Sequence, residues 1–230
     1  MIKENYFATY TPSEEKANVI THGFGVLLSF IALAFLIYYS LQNHILINIV
    51  SSIIFGLSLV TLYCSSTLYH ACKGKPINEI GSLLSSKKRF FRILDHSSIY
   101  ILISGSYTPL VMIPLHNRTS YTICIILWSC SLICIALKFF FVNSFKILST
   151  ISYVGMGWAA LFILKSLYQT LPLESFAFVI IGGFFYTFGL SFYFLKKIPY
   201  HHAVWHLFVM AGSTFHFFAV VLILKSLGSH

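Results

Sequence analysis

The stretch VITHGFGVLLSFIALAFLIYYSL, residues 19–41, runs for 23 residues without an Asp, Glu, Lys or Arg. A helix of about 20 mostly apolar residues crosses the hydrocarbon core of a bilayer, so this run is long enough to span one. Its apolar residues are continuous rather than alternating, which argues against strands and a β-barrel. Outward from it, six further runs of the same kind occupy 45–69, 93–113, 121–142, 147–167, 176–195 and 203–224. Turn chemistry separates them: Gln42-Asn43-His44, the segment from Pro114 to Ser120, Asn143-Ser144, Pro172 and Pro199. One connection is long, from Ala71 to Arg92, and its Gly74, Pro76, Gly81 and serine-rich patch read as a loop with at most a short surface helix.

Composition points the same way. Hydrophobic types make up 57% of the 230 residues and charged types only 9%, against about 25% charged in a soluble domain. Too few charges exist to cover a soluble surface, and disorder needs the opposite balance. The expected fold class is an all-α integral membrane bundle of seven spans. Residues 1–18 form an N-terminal segment, 19–226 the membrane domain and 227–230 a tail. Residues 1–17 are polar and mixed in charge, and the first apolar run is too long for the core of a cleavable signal.

Fifteen Lys and Arg face six Asp and Glu, a net charge of +9. Twelve of the fifteen fall in or beside the N-terminal segment and the second, fourth and sixth connections, with Lys73, Lys75, Lys87, Lys88, Arg89 and Arg92 in the second alone and Lys138 near the end of the run before the fourth. The positive-inside rule then places the N-terminus and the even-numbered loops in the cytoplasm and the C-terminus outside. Lys87-Lys88-Arg89 reads either as a contact for anionic lipid headgroups or as a solvated loop. No nucleic-acid module is present in the pattern. Cys64, Cys72, Cys124, Cys130 and Cys134 are odd in number, form no CxxC and read as small packing residues rather than a disulfide framework.

Ionisable groups inside membrane spans are costly, so each needs a reason. Asp95, the only Asp, opens the third span; His70 ends the second; His202 and His206 open the seventh; His22 lies one turn into the first. All five converge on the face read as cytoplasmic. His202 and His206, four residues apart, present two imidazoles on one side of a helix, the spacing by which a helix gives zinc two ligands. The alternative is a wet helix end. His201 with His206 diverges too far to chelate. Adding His70 would complete three histidines and leave a fourth zinc position open, the pattern of a catalytic rather than a structural site. Asp95 could then accept a proton from water activated by the metal, or could instead pair with Arg92 or sit at a helix N-terminus. Ser66, one turn before His70, could bind water or an oxyanion, or merely bond the i−4 carbonyl. His22 could support the ligands by donating to a carboxylate or carbonyl. His216 lies ten residues beyond His206, too deep and too far around the helix for the same metal, and reads as a buried polar contact. His96 points elsewhere from Asp95.

These residues resemble a known family. Ser66-Thr67-Leu68-Tyr69-His70 followed by Arg92-Ile93-Leu94-Asp95-His96 is similar to the second motif of the hemolysin III proteins, the bacterial branch of the progestin and adipoQ receptor family. Ser104-Gly105-Ser106-Tyr107-Thr108-Pro109 resembles the stretch that follows it. His202-Ala203-Val204-Trp205-His206 through Gly212-Ser213 and His216-Phe217-Phe218 resembles the last motif. Glu14, Asn18 and His22 match an N-terminal ExxxNxxxH. The resemblance implies a seven-helix bundle in the bacterial cytoplasmic membrane, with zinc near the cytoplasmic face on His70, His202 and His206, and with Asp95 and Ser66 as the matching acid and serine. It implies a zinc-dependent hydrolase of a lipid amide or ester, with membrane lipids as partners. Two other readings stay open: a pore-forming cytolysin, as the family name suggests, and a receptor-like protein with structural zinc. Where animal members often carry Asp-Tyr this chain has Asp95-His96, and it lacks their N-terminal extension.

Overall fold

The structure, a computed structural model, describes residues 10–72, 83–141 and 146–228. Lys73, Lys75, the loop expected around Gly74, Pro76 and Gly81, the Asn143-Ser144 turn and the last two residues of the tail lie outside the described residues. The first helix, α1 (Pro12–Gln42), starts at a capping box. The Glu14 N–H donates to Thr11 Oγ1 at 3.3 Å and the Thr11 N–H to Glu14 Oε2 at 2.8 Å, which satisfies donors that a helix start leaves orphaned. Pro12 stands at the first turn, where no N–H is needed.

Along α1 the buried positions are Asn18, His22, Gly25, Ser29, Leu36 and Ser40. Ile20, Phe24, Leu27, Phe30, Ile31 and Phe35 are exposed. Small and polar residues face the protein and large apolar ones face out, the reverse of a soluble helix and the arrangement a lipid solvent demands. Gly25 is needed for the close approach of α2: a Cβ there would lie 2.5 Å from the Tyr63 ring.

The remaining elements are α2 (Leu46–Ala71), α3 (Leu83–Met112), α4 (Arg118–Phe141), α5 (Lys146–Gly157), α6 (Leu164–Thr170), α7 (Leu173–Phe194) and α8 (His201–Leu227). All regular structure among the described residues is helical. The chain is therefore of the all-α, multi-pass membrane class. Six helical units are long and apolar enough to cross a membrane: α1, α2, α4, the unit Leu148–Thr170, α7 and α8. The remaining expected span, 93–113, falls in α3, a helix of 30 residues, about 45 Å long. It is less apolar because it is enclosed. Packed against α2, α4, α5 and α8, it buries Ser97, Ser98, Ser104, Ser106 and Thr108. Helices α1, α2 and α8 pack on one another, α7 lies against α8, and α3 joins α2 to α4.

The span expected at 147–167 is not one continuous α-helix. It passes through a 3₁₀ segment, Trp158–Ile163, between α5 and α6. Such a break frees backbone groups that lipid cannot satisfy. Tyr107 of α3 takes up two of them: its hydroxyl donates to the Gly157 carbonyl at 2.6 Å and accepts from the Ala160 N–H at 2.7 Å. Replacing Tyr107 by Phe removes both bonds while keeping the ring. The expected cost is about 1–3 kcal/mol, read as a lower thermal midpoint in detergent, and an unchanged midpoint would show that the break is satisfied another way.

Candidate metal centre

Four helices bring their ends together at one face of the bundle. His70 stands one residue before the end of α2, and His202 and His206 lie in the first two turns of α8. All three are buried, and one potential ligand atom from each lies within 4.8 Å of the others. His70 Nε2 and His202 Nε2 are 3.1 Å apart. Two ligands about 2.0–2.1 Å from one tetrahedral zinc sit near this separation.

The outer ring nitrogens fix the tautomers of two of the three histidines, His70 and His206. His70 Nδ1 lies 2.6 Å from Glu15 Oε2. A carboxylate accepts only, so His70 carries its proton on Nδ1 and turns the Nε2 lone pair inward. His206 Nδ1 lies 3.0 Å from Thr21 Oγ1. The Thr21 hydroxyl has the Ala17 and Asn18 carbonyls at 2.9 and 3.0 Å to donate to. Its oxygen therefore accepts from His206 Nδ1, and the His206 Nε2 lone pair also faces inward. That Nε2 is buried with no hydrogen-bond partner. Two imidazoles oriented for Nε2 ligation, with the third at 3.1 Å, are a donor set that fits a divalent metal.

Asp95 of α3 borders this cluster. His70 and Ser66 lie beside its carboxyl. Ser66 is buried, and its hydroxyl has no partner within hydrogen-bond distance; it does not bond the i−4 carbonyl. Asp95 Oδ2 is also 3.5 Å from His96 Nδ1, but that nitrogen donates to the Arg92 carbonyl at 2.9 Å, so His96 turns back along its own helix. The metal-site geometry holds only the three histidines; Asp95 and Ser66 are neighbours of the set.

His22 is placed differently from the sequence expectation. It makes no bond to a carboxylate or carbonyl. Its ring stacks on His206, with centroids 3.5 Å apart at 16°, and meets Tyr63 edge-on at 5.2 Å. His201 donates to the Phe192 carbonyl at 3.1 Å. His216 donates to the Val179 carbonyl at 3.2 Å, a buried polar contact between α7 and α8.

Three residues that sequence reasoning did not single out complete the surroundings. Glu15, rather than Glu14, reaches His70, and it also lies 3.9 Å from Lys88 Nζ of α3. Glu14 instead accepts from the Tyr200 N–H at 3.0 Å, holding a residue with φ of 57° just before α8. Glu15, Asn18 and His22 are three and four residues apart, so one helical face carries them; that periodicity was the available signal for Glu15, and Thr21 borders the same face. Tyr10, just before α1, stacks over His202 with centroids 5.0 Å apart at 30°. Burial pushes its hydroxyl pKa up, so it covers the cluster as a neutral phenol.

A cleft of about 650 Å³ lies between α1, α2, α7 and α8. Gly25, Tyr63 and Ser213 line its inner part and Glu174 and Lys225 the part toward the opposite membrane face. The rest of its wall is mainly apolar, including Phe35, Leu59, Phe178 and Met210. Tyr63 and His22 stand between this cleft and His206.

Residues 10–217 match the family model described as "Haemolysin-III related". The chain is 44% identical over 212 residues to the hemolysin-3 homolog of Bacillus subtilis (strain 168), covering 92% of this chain and 95% of that protein. It is 38% identical to the hemolysin-3 of Bacillus cereus, over 90% of each. A more distant likeness, 27% identity over 92% of this chain and 85% of the other, links it to the human monocyte to macrophage differentiation factor.

Protein purified without a histidine tag and loaded with zinc is expected to carry one metal ion per chain by elemental analysis. His70→Ala, His202→Ala and His206→Ala should each lose it, whereas His216→Phe should keep it. Glu15→Gln should weaken affinity by about 10- to 100-fold through the loss of orientation at His70. Full metal content in all three alanine variants would rule the site out.

Proposed function

The chain belongs to the haemolysin-III related family, and on that premise we propose that it is a zinc-dependent hydrolase of a lipid amide or ester, built as a seven-span bundle with α3 as the seventh membrane helix. The observation that carries the reading is the buried set of His70, His202 and His206, with one potential ligand atom of each within 4.8 Å of the others, bordered by one acid and one serine. In this reading the protein lies in the bacterial cytoplasmic membrane, with its N-terminus and the histidine face in the cytoplasm and its C-terminus outside. The split of twelve basic residues against three supports that orientation. Lys87, Lys88 and Arg89 then meet anionic headgroups.

Zinc at such a site supplies Lewis acidity toward a carbonyl and activates water near neutral pH. Glu15 and Thr21 hold the rings of His70 and His206 in register through the whole reaction. Asp95 accepts the proton that water releases as its oxygen bonds to the carbonyl carbon. As the bond from that carbon to nitrogen or oxygen breaks, Asp95 returns the proton to the leaving group, so the acid acts first as base and then as acid. Ser66 has a free hydroxyl to donate to the oxygen on which negative charge builds. Tyr10 above His202, and the burial of the histidines, limit access of bulk water. The apolar cleft beside Tyr63 suits an acyl chain, and it supports a lipid rather than a peptide substrate.

Zinc-loaded protein assayed against a panel of long-chain lipid amides and esters should turn over at least one of them. Asp95→Asn should lower turnover by about 10²- to 10⁴-fold without loss of zinc. Equal turnover by wild type and Asp95→Asn, or none by metal-replete wild type, would remove the hydrolase reading and leave the metal as a structural tie between α2 and α8.

A further inference from the structure

A metal ligand needs a neighbour that fixes the direction of its ring, because a ring free to turn points its lone pair away from the metal. Glu15 does this for His70 and Thr21 for His206. His202 has no such bond: its Nδ1 is buried without a hydrogen-bond partner. Its helix also lacks a cap of its own where His202 stands. Tyr200, the residue before α8, makes no side-chain capping bond, and an uncapped first turn frays. His202 is therefore held by something other than the devices that hold His70 and His206.

Aromatic rings take that place. Tyr10 lies over His202 with centroids 5.0 Å apart at 30°, and Trp205 lies 5.1 Å from it at 38°. Trp205 belongs to the same helix and moves with His202. Tyr193 of α7 is farther away, at 6.3 Å. Tyr10 is thus the nearest support that comes from another part of the chain. It also reaches His70 at 6.0 Å and His201 at 5.8 Å, which sets it across the end of α2 and the start of α8. One carboxylate holds it there. Glu14 Oε2 accepts from the Thr11 N–H at 2.8 Å, next to Tyr10, and Glu14 Oε1 accepts from the Tyr200 N–H at 3.0 Å, two residues before His202. Glu14 therefore ties the start of α1 to the start of α8. We propose that Tyr10 is the positioning residue of His202, held over it by Glu14, and that this strap sets how tightly the metal is bound and how fast it leaves. The proposal rests on the metal centre described above and not on hydrolysis.

The test follows zinc rather than turnover. Zinc-loaded protein in mild detergent is mixed with excess chelator and the release of zinc is timed; affinity is measured by competition with a zinc-binding dye. Tyr10→Ala should release zinc about tenfold faster and bind it about tenfold more weakly, the lower end of what supporting partners of a ligand contribute. Tyr10→Phe keeps the ring and should match wild type. Glu14→Ala should also release zinc faster, with Tyr10 itself intact. The thermal midpoint of the zinc-free protein should be the same in Tyr10→Ala as in wild type; faster release accompanied by a lower zinc-free midpoint would mark a general structural role and overturn the proposal. Wild-type release and affinity in a folded Tyr10→Ala would overturn it and leave the metal centre standing. So would release as fast in Tyr10→Phe as in Tyr10→Ala. Wild-type release from Glu14→Ala would overturn it even if Tyr10→Ala failed to fold. Wild type that takes up no zinc would remove the metal centre itself, and this proposal with it.

Discussion

The approach of α2 to α8 at His70 and His202, with their Nε2 atoms 3.1 Å apart, is the constraint around which the rest of the bundle is arranged. Two imidazole nitrogens in a low-dielectric interior cannot sit this close with lone pairs opposed and nothing between them; a proton or a cation must lie there. The surrounding helices are disposed to favour the cation. Helix α1 brings Glu15 to one outer nitrogen and Thr21 to another, α3 brings Asp95 beside Ser66 of α2, and Lys88 of α3 leans on Glu15. A carboxylate that binds one imidazole and approaches a lysine ties α1, α2 and α3 in a single contact.

That clustering is tolerable only because the protein is turned inside out with respect to a soluble fold. Serines, glycines and histidines line the helix–helix seams, and Phe, Leu and Ile face outward. With lipid as solvent, every polar group must find its partner inside. The serines do so locally: Ser29, Ser58 and Ser65 bond carbonyls three or four residues back. The interrupted unit Leu148–Thr170 needs help from another helix, and Tyr107 gives it. The same rule makes the exceptions informative. Ser66 Oγ and His206 Nε2 lack partners beside the histidine set.

Much of this was legible in residue order. Long apolar runs with few charges can only be membrane helices, and the observed helices cover the expected spans. Histidines at 202 and 206 share a helix face because four residues are about one turn, and His70 comes near them because the end of α2 meets the start of α8. The distance between His216 and the ligands also followed from helical rise. What residue order left ambiguous were contacts between helices. Glu14 and Glu15 are adjacent, and only the rotation of α1 against α2 decides that Glu15 meets His70 while Glu14 holds Tyr200. His22 read as a hydrogen-bonding support, but the seam places it flat on His206.

The sequence by itself therefore determined the membrane class, the long apolar helices and the shared face of His202 and His206, since these depend on composition and on the 3.6-residue period within single helices. The tertiary structure alone decided the tautomers of His70 and His206, the residues that orient their rings, and the 3₁₀ break between α5 and α6. Each of those depends on the rotation and depth of one helix relative to another, and helices whose outer faces meet only lipid are rotated by their packing, which no periodicity within one segment encodes.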